Sequence, residues 1–267
     1  MATPDLKADF LHSGGWQRAG AGAVHLYTAS GSALALLIVL AAFAGDAVTA
    51  LWLGLVALVV DGTDGMLARR MRVSERIPWF DGARLDDIVD YLTYAFAPML
   101  LLWSGGYLPE GAAGTALAIV PLLASSYQFC RVDAKTDDHF FLGFPSYWNV
   151  VAFYVIVTDL SPVAVTAILL VCSVLVFVPI CYIYPSRTVA FFRTNLALTA
   201  GWLVLYAVLL LQMPDPSPVI IAASLAYLVY YAAMSVHLTV TRRRAGLSTR
   251  FVHVEARVGA GEEPGRG

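Results

Sequence analysis

Residues 61–70, DGTDGMLARR, place two carboxylates, two glycines and two arginines directly after the apolar run LWLGLVALVV at 51–60. Ionisable groups bordering hydrocarbon are costly, so this much charge at the end of such a run implies a partner or a task. Of the 267 residues, 59% are hydrophobic and 13% charged, and the mean hydropathy is +0.70. Soluble domains carry about 25% charged residues, so the composition describes a polytopic membrane protein and argues against a soluble core of this size. Thirteen Tyr, thirteen Phe and six Trp suit interfacial belts and a packed helix bundle. Cys130, Cys172 and Cys181 make neither a metal-ligand spacing nor a disulfide framework, and read as small apolar residues.

Eight apolar stretches of roughly spanning length lie between turn-like breaks, at 23–44, 48–68, 84–104, 112–130, 146–160, 163–183, 194–212 and 218–240. A helix needs about 20 residues to cross the hydrocarbon core; the short 146–160 stretch can reach that length by beginning earlier, in FFLGFP at 140–145. All 17 Lys and Arg residues fall in the N-terminal arm, in the loops near 69–84, 131–145 and 184–193, or in the C-terminal tail. The intervening loops, AGDAVT, GGYLPEGAAG, TDLSP and QMPDPSP, contain none. Eight spans with both termini on the positive, cytoplasmic side account for this alternation. The expected fold is therefore all-α, with an arm at 1–22, an eight-helix transmembrane domain at 23–240 and a disordered tail at 241–267. The arm lacks the apolar core of a signal peptide, so the first segment is read as a retained anchor. It is either an amphipathic surface helix, with Phe10, Leu11 and Trp16 as apolar contacts, or a disordered lead. The scattered basic residues give no support to nucleic-acid binding.

Asp61 and Asp64 are three apart at the end of the second segment, and Asp86 and Asp90 are four apart in the third. Each pair falls on one helix face, so a two-helix hairpin brings four carboxylates together. Like charges that close repel unless a cation sits among them, and hard divalent ions such as Mg²⁺ and Mn²⁺ favour carboxylate oxygens. Gly62, Gly65 and Gly82 clear side-chain volume where a ligand can approach the backbone, and Arg69 can reach phosphate oxygens. Asp46, Glu110 and Asp159 read as ordinary interfacial groups, and Asp87 as a helix-surface residue or a partner of the carboxylates.

DGTDGMLAR followed by GARLDDIVD resembles the signature of the CDP-alcohol phosphotransferases: Asp, two residues, Asp-Gly, two residues, Ala-Arg, a spacer, Gly, three residues, Asp, three residues, Asp. All eight fixed residues are present. The resemblance implies two divalent ions, Mn²⁺ or Mg²⁺, held by Asp61, Asp64, Asp86 and Asp90 at a cytoplasm-facing cavity. It further implies Asp90 as general base, and Gly65 and Arg69 against the cytidine diphosphate. The spacer between Arg69 and Gly82 is 12 residues, longer than the family's usual one. That length, with VHLYTASG, VDYLTY and SYQFCRVDAKTDDHFFLGFPSYWNVVAFY, is similar to the bacterial phosphatidylcholine synthase branch. The implied reaction is attack of the choline hydroxyl on CDP-diacylglycerol, with CMP leaving, in a homodimer of the bacterial inner membrane.

Choline's quaternary ammonium donates no conventional hydrogen bond and is recognised by aromatic faces. Tyr91, Tyr94, Tyr127, Phe129, Tyr147 and Trp148 are the candidate rings near the carboxylates. Arg131, Lys135, Arg187 and Arg193 are candidates for phosphate, and Asp133, Asp137 and Asp138 for the choline cation; His139 has no assigned role. A phosphatidylserine synthase of the same family is the alternative acceptor reading and predicts an arginine in the acceptor pocket. An ion-coupled transporter is the alternative class, and it predicts acidic residues along several helices to the far side.

Overall fold

The computed structural model describes residues 15–136, 139–185, 187–188 and 190–246. Phe10, Leu11, Asp137, Asp138 and the tail beyond 246 lie outside the described residues. The elements in chain order are α1 (Gly15–Phe43), α2 (Ala47–Arg70), the short α3 (Val73–Arg76), α4 (Gly82–Asp90), a π-helical turn (Tyr91–Phe96), α5 (Ala97–Ser104) and α6 (Ala112–Cys130). They continue with β1 (Phe140–Leu142), α7 (Trp148–Val157), α8 (Pro162–Leu175), β2 (Cys181–Ile183), α9 (Phe192–Leu211) and α10 (Pro218–Arg244). Among the described residues the fold is all-α apart from one small strand pair, and α1, α2, α6, α9 and α10 are each long and apolar enough to cross a membrane.

The third expected span is a helical run over 82–104 whose middle is widened into the π-helical turn. Pro98 has no N–H, and its ring conflicts with the carbonyl four residues earlier, at Tyr94, so the regular ladder cannot pass there. The fifth and sixth spans differ more from expectation. FFLGFP does not extend the fifth: residues 140–142 form β1, Ser146 has φ 59°, and α7 begins only at Trp148. At 10 residues it is ~15 Å long, against the ~30 Å of a bilayer core. The sixth stops at Leu175, because Pro179 cannot continue a helix and Val178 before it is biased to extended backbone. Residues 181–183 form β2 instead, antiparallel to β1 with Phe141 opposite Tyr182.

This strand pair is covered on its open edge. The Cys181 N–H donates to Thr239 Oγ1 (2.9 Å), the Ile183 N–H to Ser235 Oγ (3.3 Å), and the Tyr231 hydroxyl to the Ile183 carbonyl (2.9 Å). Tyr231, Ser235 and Thr239 recur every fourth residue on α10, so one helix face satisfies the β2 backbone where water is scarce. Across the pair, the Phe144 N–H caps the Leu175 carbonyl at the end of α8 (3.0 Å).

α1 packs on α2 and on the 82–104 run through a face of small residues, Ala21, Thr28, Gly31, Ala35 and Ala42. α1 begins by Gly15, so residues 15–22 are helical and continuous with the first span; Trp16 is 93% exposed. The long spacer after Arg69 has a packing role: Val73 and Ile77 are buried with Ala21 and Val24. Asp46, read as an interfacial group, caps α2 by accepting the Thr49 N–H (2.9 Å). The central core stacks Phe153 on Tyr206, with ring centroids 3.6 Å apart, and the Trp202 N–H donates to the Tyr154 hydroxyl (2.9 Å).

A Cβ at Gly31 would overlap Val89 Cγ1 on α4. Gly31→Ala is therefore expected to cost about 1–3 kcal/mol of stability, relieved in Gly31→Ala/Val89→Ala. Thermal melting in detergent reads this directly; equal melting of Gly31→Ala and the unmodified protein would refute the close approach.

Candidate active site

The end of α2 and the start of the 82–104 run meet against α1, and their acidic side chains converge there. One carboxylate oxygen from each of Asp61, Asp86 and Asp90 lies within 4.8 Å of the others. Asp64 stands outside this trio. It is buried, and its Oδ2 accepts the Thr28 hydroxyl of α1 (2.8 Å). The Tyr94 hydroxyl, delivered by the π-helical turn, donates to Asp61 Oδ2 (2.5 Å). Tyr27 and Thr63 share a hydroxyl hydrogen bond (2.8 Å), so YT of VHLYTASG braces the acidic end of α2 twice. Three carboxylates this close need positive charge among them. Their oxygens are a hard donor set of the kind that fits a divalent cation.

The protein also supplies a cation of its own. Lys135 Nζ lies 3.5 Å from Asp87 Oδ1 and 4.0 Å from Asp86 Oδ2. Burial pulls its pKa down, but Asp87, Asp86, Tyr184 and Asp90 outweigh burial and raise it above the ordinary lysine value. The loop that carries Lys135 is strapped to β1: the Leu142 N–H donates to the Ala134 carbonyl and the Thr136 N–H to the Phe140 carbonyl, both at 2.9 Å. Arg131 tightens the same strap through Asp133 (2.9 Å) and the Leu142 carbonyl (3.3 Å), and its side chain is only 7% exposed.

Beside the carboxylates a cavity of about 320 Å³ runs into the bundle. Asp61, Gly62, Asp90 and Lys135 form one end, and its walls carry Tyr94, Phe129, Phe141, Tyr147, Tyr184, Trp202, Tyr227 and Tyr231. Of the rings singled out in the sequence, Tyr94, Phe129 and Tyr147 line this cavity. The other three do not. Tyr91 faces α6, with its hydroxyl 3.5 Å from the Leu122 carbonyl. Tyr127 packs on Phe177 and beneath Arg131. Trp148 is fully buried, its indole N–H donated to Ser125 Oγ (2.7 Å).

The glycines divide similarly. Apart from its chain neighbours and its own helix backbone, no atom of the described residues lies within 4 Å of a Cβ placed at Gly62, which opens on the cavity. A Cβ at Gly65 would sit 3.3 Å from Arg69 Nη1, so that glycine lets the exposed Arg69 lie along the helix. At Gly82 the cleared volume is taken by His25 of α1, whose Cε1 would be 2.9 Å from a Cβ there. The Arg187 guanidinium stands 5.7 Å from the Tyr184 ring centre, and its Nε is buried with no hydrogen-bond partner among the described residues. Sequence reasoning missed Tyr184, Trp202, Tyr227 and Tyr231. The fourfold spacing of Tyr227 and Tyr231 was a usable signal, hidden because the last two spans carry almost no charge.

An acidic cluster opening on an aromatic cavity inside a bundle of apolar helices defines a membrane protein equipped for chemistry on charged groups. No model of a known protein family matches the chain. It is 40% identical over 218 residues to a phosphatidylcholine synthase of Pseudomonas aeruginosa, covering 81% of this chain and 91% of that protein. It is 37% identical to the phosphatidylcholine synthase of Legionella pneumophila, over 81% of this chain and 87% of the relative. With that of Borreliella burgdorferi the identity is 33%, over 82% and 94%. The chain belongs to the phosphatidylcholine synthase family.

Thr28→Val removes the only side-chain hydrogen bond given to the buried Asp64 among the described residues. A loss of about 1.5–3 kcal/mol is expected, recovered in Thr28→Ser, which keeps the hydroxyl. Detergent melting curves that do not separate Thr28→Val from the unmodified protein would contradict this.

Proposed function

We propose that this protein transfers the phosphatidyl group of CDP-diacylglycerol to choline, forming phosphatidylcholine and releasing CMP. The observation that carries the reading is identity of 33–40% to phosphatidylcholine synthases over most of the chain. The site's composition supports it. The serine alternative calls for an arginine in the acceptor pocket, and among the described residues lining the cavity the cation is Lys135, with no arginine. A carrier is disfavoured because the acidic cluster is confined to one end of the bundle, where α2 and α4 meet.

In this reading Asp61, Asp64, Asp86 and Asp90 hold the divalent ions, either Mn²⁺ or Mg²⁺. Bound metal would neutralise the diphosphate and stabilise charge on the departing CMP. The protein's own groups do the rest. Asp90, which belongs to the trio and also lines the cavity, takes the proton of the acceptor hydroxyl as its oxygen bonds to the phosphorus distal to cytidine. The bond from that phosphorus to the CMP oxygen breaks, and CMP leaves with the electron pair. Lys135 and Arg187 attract the donor's phosphates, and Arg69 beside Gly65 lies against the nucleotide. The eight apolar helical segments are taken as eight spans, with termini and site on the cytoplasmic side of a bacterial inner membrane. The one-sided placement of Lys and Arg supports that orientation. The family resemblance also supports a homodimer through the membrane helices.

The test is CMP release by purified protein from CDP-diacylglycerol, with choline or serine as acceptor. Release is expected with choline only, abolished by EDTA and restored by Mn²⁺ or Mg²⁺, and lowered by about 10²–10⁴-fold in Asp90→Asn. Release with serine alone would overturn the acceptor; full activity in EDTA would overturn the metal.

Gly62→Ala offers a separate check, because no side chain or other element among the described residues crowds the added methyl. Melting temperature is expected to stay level or rise, since Ala favours helix over Gly by ~1 kcal/mol, while activity falls because substrate backs onto that position. Unchanged kcat/KM would show that no substrate group comes near Gly62.

A further inference from the structure

We propose that the acceptor's quaternary ammonium is held against a concave wall made by the rings of Tyr94, Tyr147 and Tyr231. The proposal rests on the choline reading above and names the residues that enforce it. Three elements distant in sequence build this wall: the π-helical turn, the segment before α7, and α10. Tyr94 is fixed beside the acid by its hydroxyl hydrogen bond to Asp61. The Tyr147 ring centre lies 5.8 Å from that of Tyr94 and 6.3 Å from that of Tyr231, with interplanar angles of 39° and 55°. Rings so splayed curve around the cavity and do not stack flat. Tyr231 is held from behind by its hydrogen bond to the Ile183 carbonyl.

The chemistry of the acceptor selects this wall. A trimethylammonium has no N–H to give, so neither hydroxyls nor carbonyls can grip it directionally, whereas the negative face of an aromatic ring can. Only two carbons separate the ammonium from the reacting hydroxyl, so the rings that hold the cation must stand next to the carboxylates. Tyr94, bonded to Asp61, does stand there. The carboxylates of Asp61 and Asp90 line the same cavity and add attraction for a cation. Leu58 and Val59 of α2 and Leu196 and Leu203 of α9 also line the cavity; these aliphatic side chains offer the ammonium nothing comparable and suit the donor's acyl chain.

The test compares choline with its neutral tert-butyl isostere, the alcohol of the same shape in which carbon replaces nitrogen, using Tyr147→Leu, Tyr147→Phe, Tyr231→Leu and Tyr231→Phe. The unmodified protein is expected to prefer choline strongly. Each Leu variant should raise KM for choline about tenfold and lose that preference, with KM for CDP-diacylglycerol unchanged. Each Phe variant, which keeps the ring, should retain a choline KM close to that of the unmodified protein. An unchanged choline KM in both Leu variants would overturn the proposal. So would a rise confined to KM for CDP-diacylglycerol, which would give the wall to the acyl chain. The unmodified protein alone provides a further check that does not depend on any variant folding: equal use of the isostere and choline would sink the ring wall. CMP release with serine in place of choline would instead overturn the reading on which the wall rests.

Discussion

Mutual repulsion among the carboxylates of Asp61, Asp86 and Asp90, held within 4.8 Å where water is scarce, is the constraint around which this bundle is organised. Left to themselves, such groups would separate or take up protons. The fold prevents separation by clamping the two helices that carry them. Gly31 lets α1 close on α4, while Thr28 reaches across to Asp64 on α2. The extra residues after Arg69 anchor the hairpin through Val73 and Ile77. Position is thus fixed by apolar packing, and charge is answered by hydroxyl donors and by Lys135. Divalent ions complete that balance in the proposed mechanism.

The second organising device is the strand pair, which gives the site its cover. β1 and its preceding strap bring Lys135 over Asp86 and Asp87, and the chain after β1 delivers Tyr147. β2 would leave backbone groups bare, and α10 satisfies them with Ser235 and Thr239 while Tyr231 bonds the Ile183 carbonyl. One helix face therefore completes the sheet edge and contributes a ring to the cavity. Tyr94 follows the acidic residues directly, while Tyr147 and Tyr231, later in the chain, reach the same cavity from beside this pair.

The convergence of Asp61, Asp86 and Asp90 was legible because it is local, at helical spacing in adjacent segments, whereas Asp64, at the same spacing, turns to Thr28 of α1. The apolar stretches were legible by hydropathy, as were most helix boundaries. What was not legible arose from long-range pairing. Nothing local marks residues 140–142 and 181–183 as partners, so hydropathy extended the sixth span through Pro179 and the fifth back into FFLGFP. Trp148 looked like a cavity ring because it follows Tyr147, yet the helix start turns it inward to Ser125. Arg131 read as a phosphate contact, and its side chain is instead engaged in the strap. The last two spans, uncharged and apparently plain, supply Trp202, Tyr227 and Tyr231.

The claim that most needs a direct test is that the acidic cluster is a cation site. Crystals grown with Mn²⁺ and measured for manganese anomalous scattering would locate the ion without reference to activity. The account predicts anomalous density at about 2.0–2.3 Å from carboxylate oxygens of Asp61, Asp86 and Asp90, lost in Asp86→Asn. Density elsewhere, or none there while Lys135 still sits against Asp86 and Asp87, would mean that the protein's own lysine is the neutralising charge and would contradict it.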